Sequence, residues 1–165
     1  MEYSCIELNN LPDEILMIIF QKLNNIDVLY SFHDVNQRLN KIIHDRIFTS
    51  HLTFVKWSLD NFIDLFSSAI MLSRFCLQIL PSIHDKIQWL DLDLSSIKNV
   101  LRLANYPTLD SLGLYNIDEE SAQCIFNDET LSSIFKNQIT TLFITIYNNN
   151  DDNHERMTLV SGKCM

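Results

Sequence analysis

Residues 11–23, LPDEILMIIFQKL, hold six consecutive apolar residues from Ile15 to Phe20. At about 100° per residue such a run sweeps nearly the whole circumference of a helix, so one neighbour cannot cover it. Pro12 suits the first turn, where a missing N–H costs nothing, and Asp13 and Glu14 complement the positive end of the dipole. Met17 and Ile18 are expected off the face made by Ile15, Ile19 and Leu23, so the helix needs two neighbours. The polar Asn24-Asn25 breaks the pattern, and Asp27 is placed to cap a second short helix through VLYSF. A third helix is predicted through VNQRLNKIIHD, with Val35, Leu39, Ile42 and Ile43 on one face. Residues 5–50 therefore read as a compact helical unit.

Beyond it, HLTFVKW alternates like a short strand, which would be stacked before the units that follow. Phe62, Ile63, Phe66, Ile70, Leu77 and Leu80 recur at helical spacing, and Pro81 is expected to stop that run. Three segments then share one apolar pattern, IQWLDLDL from Ile87, LDSLGLYNI from Leu109 and ITTLFITI from Ile139. Helical stretches, IKNVLRLA and EESAQCIFNDETLSSIFK, separate them. With starts 22 and 30 residues apart, the segments resemble leucine-rich repeats of the irregular kind, whose period is about 20 to 29 residues. That family's asparagine is absent, since Ser95, Ile117 and Tyr147 stand at its position. The fold class expected is α+β or α/β, with three helices followed by strand-helix units forming a partial solenoid over 51–147. Residues 148–165 read as a polar tail, disordered or truncated, without a capping unit.

Composition narrows the function. The 165-residue chain is 47% apolar and carries a formal charge of -9, with its basic residues scattered singly, which argues against a nucleic-acid partner. Residues 1–56 hold five basic and seven acidic groups, and 57–165 hold seven and fourteen, so a basic or neutral partner suits the second part. Cys5, Cys76, Cys124 and Cys164 form no CxxC pair and read as reduced thiols. No signal peptide or membrane-spanning run is evident, and the expected address is cytoplasmic and/or nuclear. With two glycines in the chain, phosphate-cradling loops and nucleophile elbows cannot be built, and no cofactor or metal is expected.

The segment LPDEILMIIFQKLNNIDVLYSFHDVNQRLNKII resembles the F-box. The resemblance rests on Leu11, Pro12, Glu14, Ile15, Leu16, Ile19, Phe20, Leu23, Asp27, Val28, Leu29, Val35 and Arg38, and departs at Leu39, where the family commonly places Trp. It implies binding to the Skp adaptor of a cullin-RING ubiquitin ligase. It places Leu11, Pro12, Ile15, Leu16, Ile19, Phe20, Leu23 and Leu29 at or beside that interface. It also implies that the repeats hold the protein destined for ubiquitination, while transfer chemistry belongs to other subunits. The alternative is an interaction module, or a repeat fragment with a helical cap, that recruits no target.

In a strand with Leu90 and Leu92 inward, Trp89, Asp91 and Asp93 point outward. Stacking the segments in register sets Trp89 beside Ser111 and Thr141, Asp91 beside Gly113 and Phe143, and Asp93 beside Tyr115 and Thr145. Trp89, Asp91, Asp93, Tyr115 and Phe143 then form an acidic and aromatic face suited to a target segment with Lys or Arg. Catalytic candidates are weak. The adjacent pairs His33-Asp34, His44-Asp45 and His84-Asp85 should point apart on helices, with His44 at an exposed helix end, and only a three-dimensional meeting would join Cys76 to His84. The NDDNHE stretch near Asn150 lacks the glycine and terminal glutamate of a calcium loop.

Overall fold

The computed structural model describes residues 8–57, 62–64, 69–128 and 138–146. After a 3-10 turn at Leu8–Asn10 come four short helices: α1 (Asp13–Phe20), α2 (Asn25–Phe32), α3 (Gln37–Ile43) and α4 (Arg46–Thr49). Pro12 occupies the cap position of α1. The other three are each started by a side chain that accepts an otherwise orphaned backbone N–H. Asn24 accepts from Ile26 at 2.8 Å, Asn36 from Leu39 at 2.8 Å and Asp45 from Ile47 at 2.9 Å. The cap of α2 is thus Asn24, while Asp27 lies inside the first turn. The Asn pair that reads as a break in the pattern is the start signal, and α4 is an element the apolar periodicity does not announce.

The remaining elements are β1 (His51–Thr53), β2 (Val55–Trp57), β3 (Phe62–Asp64), α5 (Ala69–Arg74), a π-helical turn (Phe75–Ile79) and α6 (Leu80–Ile83). They continue with β4 (Trp89–Asp93), α7 (Leu94–Leu103), β5 (Ser111–Ile117), α8 (Glu119–Asn127) and β6 (Thr141–Ile146). A four-stranded parallel sheet has the order β1-β4-β5-β6, and β2 pairs with β3 antiparallel. The strand steps are built alike. The Ser50 carbonyl accepts from Gln88 and Trp89, that of Gln88 from Asp110 and Ser111, and that of Asp110 from Thr140 and Thr141, all at 2.8–3.1 Å. At the far end of β4, Asp93 caps α7 by accepting from Ser96 N–H at 3.0 Å, and after β5 Asp118 caps α8 by accepting from Ser121 N–H at 2.7 Å.

The register of β4 and β5 sets Trp89, Asp91 and Asp93 against Ser111, Gly113 and Tyr115, as the stacking of the three segments predicts. Against β6 it holds past Gly113 opposite Phe143 to Leu114 opposite Ile144, then shifts, so that Ile117 lies opposite Ile146. Tyr115 and Thr145 are therefore not partners. The shift coincides with Asn116, whose left-handed φ of 59 accommodates the extra residue in this strand. On the core face Leu52, Leu90, Leu92, Leu112, Leu114 and Ile144 are buried. They belong to the same apolar cluster as Ile97, Val100 and Leu101 of α7, Phe75, Ile79, Leu80 and Ile83 of the α5–α6 run, and Leu16 and Phe20 of α1. The helical unit and the sheet thus share one core. Hydrogen bonds reinforce the junction, with Asn25 donating to the His51 carbonyl at 2.9 Å and Lys86 to the His44 carbonyl at 3.1 Å.

Several expectations are corrected. The single strand HLTFVKW is split at Phe54, whose N–H closes the pairing with β4 by donating to the Asp91 carbonyl at 2.8 Å, after which β2 pairs with β3 instead. Phe62 and Ile63 lie in a strand, and Ile70 and Leu77 point to solvent. Pro81 does not end its helix. With no N–H to give, it follows a widened turn in which Leu80 N–H reaches the Phe75 carbonyl, and the helix runs on to Ile83. Val35 precedes the Asn36 cap and is exposed, whereas Leu39, Ile42 and Ile43 are buried. Phe66, residues 129–137 and the tail at 148–165 lie outside the described residues.

Asp93 shows how a polar residue holds a buried position. Its carboxylate accepts from Ser96 N–H, from the Ser96 hydroxyl at 2.5 Å and from the Ser95 hydroxyl at 3.0 Å, so it is spent on starting α7. Replacing Asp93 with Ala removes the cap on the Ser96 N–H and leaves the buried Ser96 hydroxyl only its longer bond to the residue 93 carbonyl, at 3.2 Å. The expected loss is about 1–3 kcal/mol of stability, read as a lowered midpoint in chemical denaturation.

Candidate functional site

Two surfaces carry the residues singled out in the sequence. On the helical unit, Leu16 and Phe20 turn inward, where the Phe20 ring stacks on Phe32 at 4.4 Å and meets Phe48 edge-on at 6.2 Å. Leu29 is also fully buried, and Leu11 and Met17 pack partly against the core. Leu16, Phe20 and Leu29 are therefore core residues and present no surface to a partner. Pro12 is exposed, and Ile15, Ile18, Ile19 and Leu23 keep 40–55% of their surface in solvent. Ile18 joins Ile15, contrary to the expected separation, because residues three apart are neighbours on a helix. Ile47 and Val35 are further exposed apolar residues of the same unit; the sequence pattern places Val35 on the buried face of the third helix, and no apolar stripe marks Ile47 in the sequence.

Arg38 fixes where this face begins. Its Nε donates to Asp13 at 2.6 Å and its Nη2 to the Leu11 carbonyl, fastening α3 to the first turn of α1. A half-exposed ion pair contributes little energy, so the effect is geometric. Each end of the Leu-Pro…Arg spacing holds the other in place.

The second surface is the face of the sheet opposite the leucines. Asp91 is its hub, with one oxygen accepting from Trp89 Nε1 at 2.8 Å and the other from His51 Nε2 and the Thr53 hydroxyl, both at 3.0 Å. The Tyr115 hydroxyl bonds to it as well. Burial opposes the Asp91 charge, yet the bonds from His51, Trp89 and Thr53 hold its carboxyl below the usual carboxylate range. Burial, then the Asp91 charge and hydrogen bond, push the Tyr115 hydroxyl up to about 12. Above this hub the rings form a row, His51 against Trp89 at 5.0 Å and Trp89 stacked on Phe143 at 5.5 Å with 13° between planes.

The expectation of two outward aspartates is thus corrected. Asp91 and Asp93 are both buried, because each is needed as an acceptor inside the fold. Trp89, Tyr115 and Phe143 are half-buried. The sequence reading misses His51 and Thr53, although their spacing at i and i+2 on β1 places both on the Asp91 face.

The catalytic candidates are placed as follows. His33 Nδ1 lies 3.3 Å from Asp34, which the left-handed backbone of Asp34 allows despite their adjacency. His44, half-buried at the end of α3, bridges the Asn40 carbonyl and the Ser82 hydroxyl. His84 is 2.7 Å from the Asn105 carbonyl. Cys76 is buried, which pushes its thiol pKa up, opposite to what a nucleophile needs. Among the described residues no cluster of three or more His, Cys, Asp or Glu could hold a metal, and no helix is long and apolar enough to cross a membrane.

Gly113 sits mid-strand, where glycine is normally unfavourable, and the reason is space. A Cβ there would lie 2.2 Å from Asp91 Oδ1 and 2.7 Å from Tyr115 Cε2. Gly113→Ala is expected to cost about 1–3 kcal/mol. It should also change the near-ultraviolet circular dichroism of the ring row, which a loss of stability elsewhere would leave intact.

A comparison with curated proteins gave no match for the chain. Residues 8–51, from the 3-10 turn to the first residue of β1, match the family model of the F-box domain, and the helical unit described above is an F-box domain.

Proposed function

We propose that this chain is a substrate-recognition subunit of an SCF-type cullin-RING ubiquitin ligase. Its F-box binds the Skp adaptor, and through it a cullin, while the strand-helix part, read as short irregular leucine-rich repeats, binds the protein to be ubiquitinated. The observation that carries the first half is the conjunction of the F-box match with a helix whose apolar side faces solvent. Isolated exposed apolar residues need no explanation, but a continuous set on one helix of such a domain is what a partner would bury.

The adaptor surface in this reading consists of Pro12, Ile15, Ile18, Ile19 and Leu23, with Leu11 at its margin. The second half is supported by the half-buried aromatic face of the sheet, whose Trp and Tyr content is that of interaction surfaces. In this role the chain performs no catalysis, and it works in the cytoplasm and/or nucleus, where its partners are.

The buried and exposed positions separate binding from folding. Changing Ile15 and Ile18 together to Asp is expected to leave the circular dichroism spectrum and thermal midpoint near those of the parent. The affinity for purified Skp adaptor should fall by on the order of a hundredfold. Phe20→Asp is expected to unfold the helical unit. Full adaptor binding by the Ile15→Asp, Ile18→Asp double variant would overturn the assignment.

A further inference from the structure

The row of planar side chains that crosses the sheet has an unfinished end. It starts at His51 on β1, passes through Trp89 on β4 and stops at Phe143 on β6, the last strand in the sheet order. Trp89 contacts both of the other rings. Phe143 is half-buried, and its one ring contact among the described residues is the stack with Trp89, which occupies one face of the ring. Among the described residues β6 pairs with β5 alone, so its outer edge can accept an extended strand.

The electrostatics of this face select the chemistry of what could continue the row. Asp91 is buried and has no Lys or Arg within salt-bridge distance among the described residues. Its hydrogen bonds come from an indole, two hydroxyls and the His51 ring. These fill about four acceptor sites, so the carboxylate can take no further donor. It acts as a fixed negative charge roughly 10 Å, two strand spacings, from Phe143. Residues 57–165, which include this face, carry twice as many acidic as basic groups. A planar cation fits both the stack and the field. Guanidinium is planar, weakly hydrated and attracted to the face of an aromatic ring, whereas an ammonium stacks less well and a carboxylate would be repelled.

We propose that this face takes the arginine side chain of an extended target segment lying along β6, its guanidinium stacked on the face of Phe143 opposite Trp89. The inference rests on the reading of the sheet as the target-holding part. It shifts recognition away from direct contact with Asp91 and Asp93 to the ring at the sheet edge.

The test uses the full chain bound to the Skp adaptor and a valine-flanked peptide with one arginine. Its twin carries citrulline, which keeps the planar shape and removes the charge. Binding is followed through the indole N–H resonance of Trp89. The arginine peptide is expected to shift that resonance saturably, with the citrulline twin weaker by about fivefold. Phe143→Ala and Phe143→Leu are both expected to lose the difference between the peptides, and Asp91→Asn to reduce it by about twofold.

Equal binding of the two peptides, no binding of either, or an unchanged preference in Phe143→Leu would each overturn the proposal. Adaptor co-elution is scored on the same samples. An intact adaptor complex that ignores both peptides contradicts this inference alone, whereas failure to form that complex contradicts the receptor reading.

Discussion

Phe20 is the contact on which the rest of the molecule depends. An eight-residue helix has a single inward side, and here Phe20 fixes it by packing against Phe32 of α2 and Phe48 of α4. Burying such a side chain contributes about 1.5–3 kcal/mol. Once Leu16 and Phe20 face inward, Ile15, Ile18 and Ile19 have no choice but to face outward. The outward apolar side is thus a consequence of how the core closes, and the chain leaves about half of it uncovered. Because α4 leads directly into β1, the same contact places the first strand of the sheet.

The sheet then propagates from that strand. Each step repeats one device, a carbonyl that receives two N–H groups from the start of the next strand, and after β4 and β5 an aspartate caps the following helix. One face is filled by leucines and isoleucines. The other is organised around a single carboxylate. Asp91 needs four donors because it is buried, and supplying them draws His51, Thr53, Trp89 and Tyr115 together. Gly113 is what leaves room for that convergence. Structure and surface are therefore coupled on this face, since the residues that satisfy the buried charge are also the ones that form the aromatic row.

The parts legible in the sequence are those set by strong local patterns. The parallel register of β4, β5 and the first half of β6 follows from the shared apolar pattern, which only one alignment keeps on one face. The Leu-Pro opening and Arg38 identify the helical unit, and the structure shows why they go together. What is illegible depends on three-dimensional demand. Alternation says that Asp91 and Asp93 leave the leucine face, but it cannot say that one becomes a hydrogen-bond hub and the other a helix cap. Likewise the apolar run from Ile15 to Phe20 announces too much surface for one neighbour. Only the packing of Phe20 decides which half the chain covers itself. His51 carries no local signal, because its partner lies forty residues away.

The central claim is that the helical unit closes around Phe20 in a core shared with the sheet and leaves the Ile15–Ile18–Ile19–Leu23 side exposed for the proposed Skp adaptor. Amide hydrogen exchange with and without the adaptor tests it most directly. The account predicts that exchange over residues 13–23 slows by more than about tenfold on adding the adaptor, while β4 and β5 are unchanged. Unaltered exchange over 13–23, or protection confined to the strands, would contradict it.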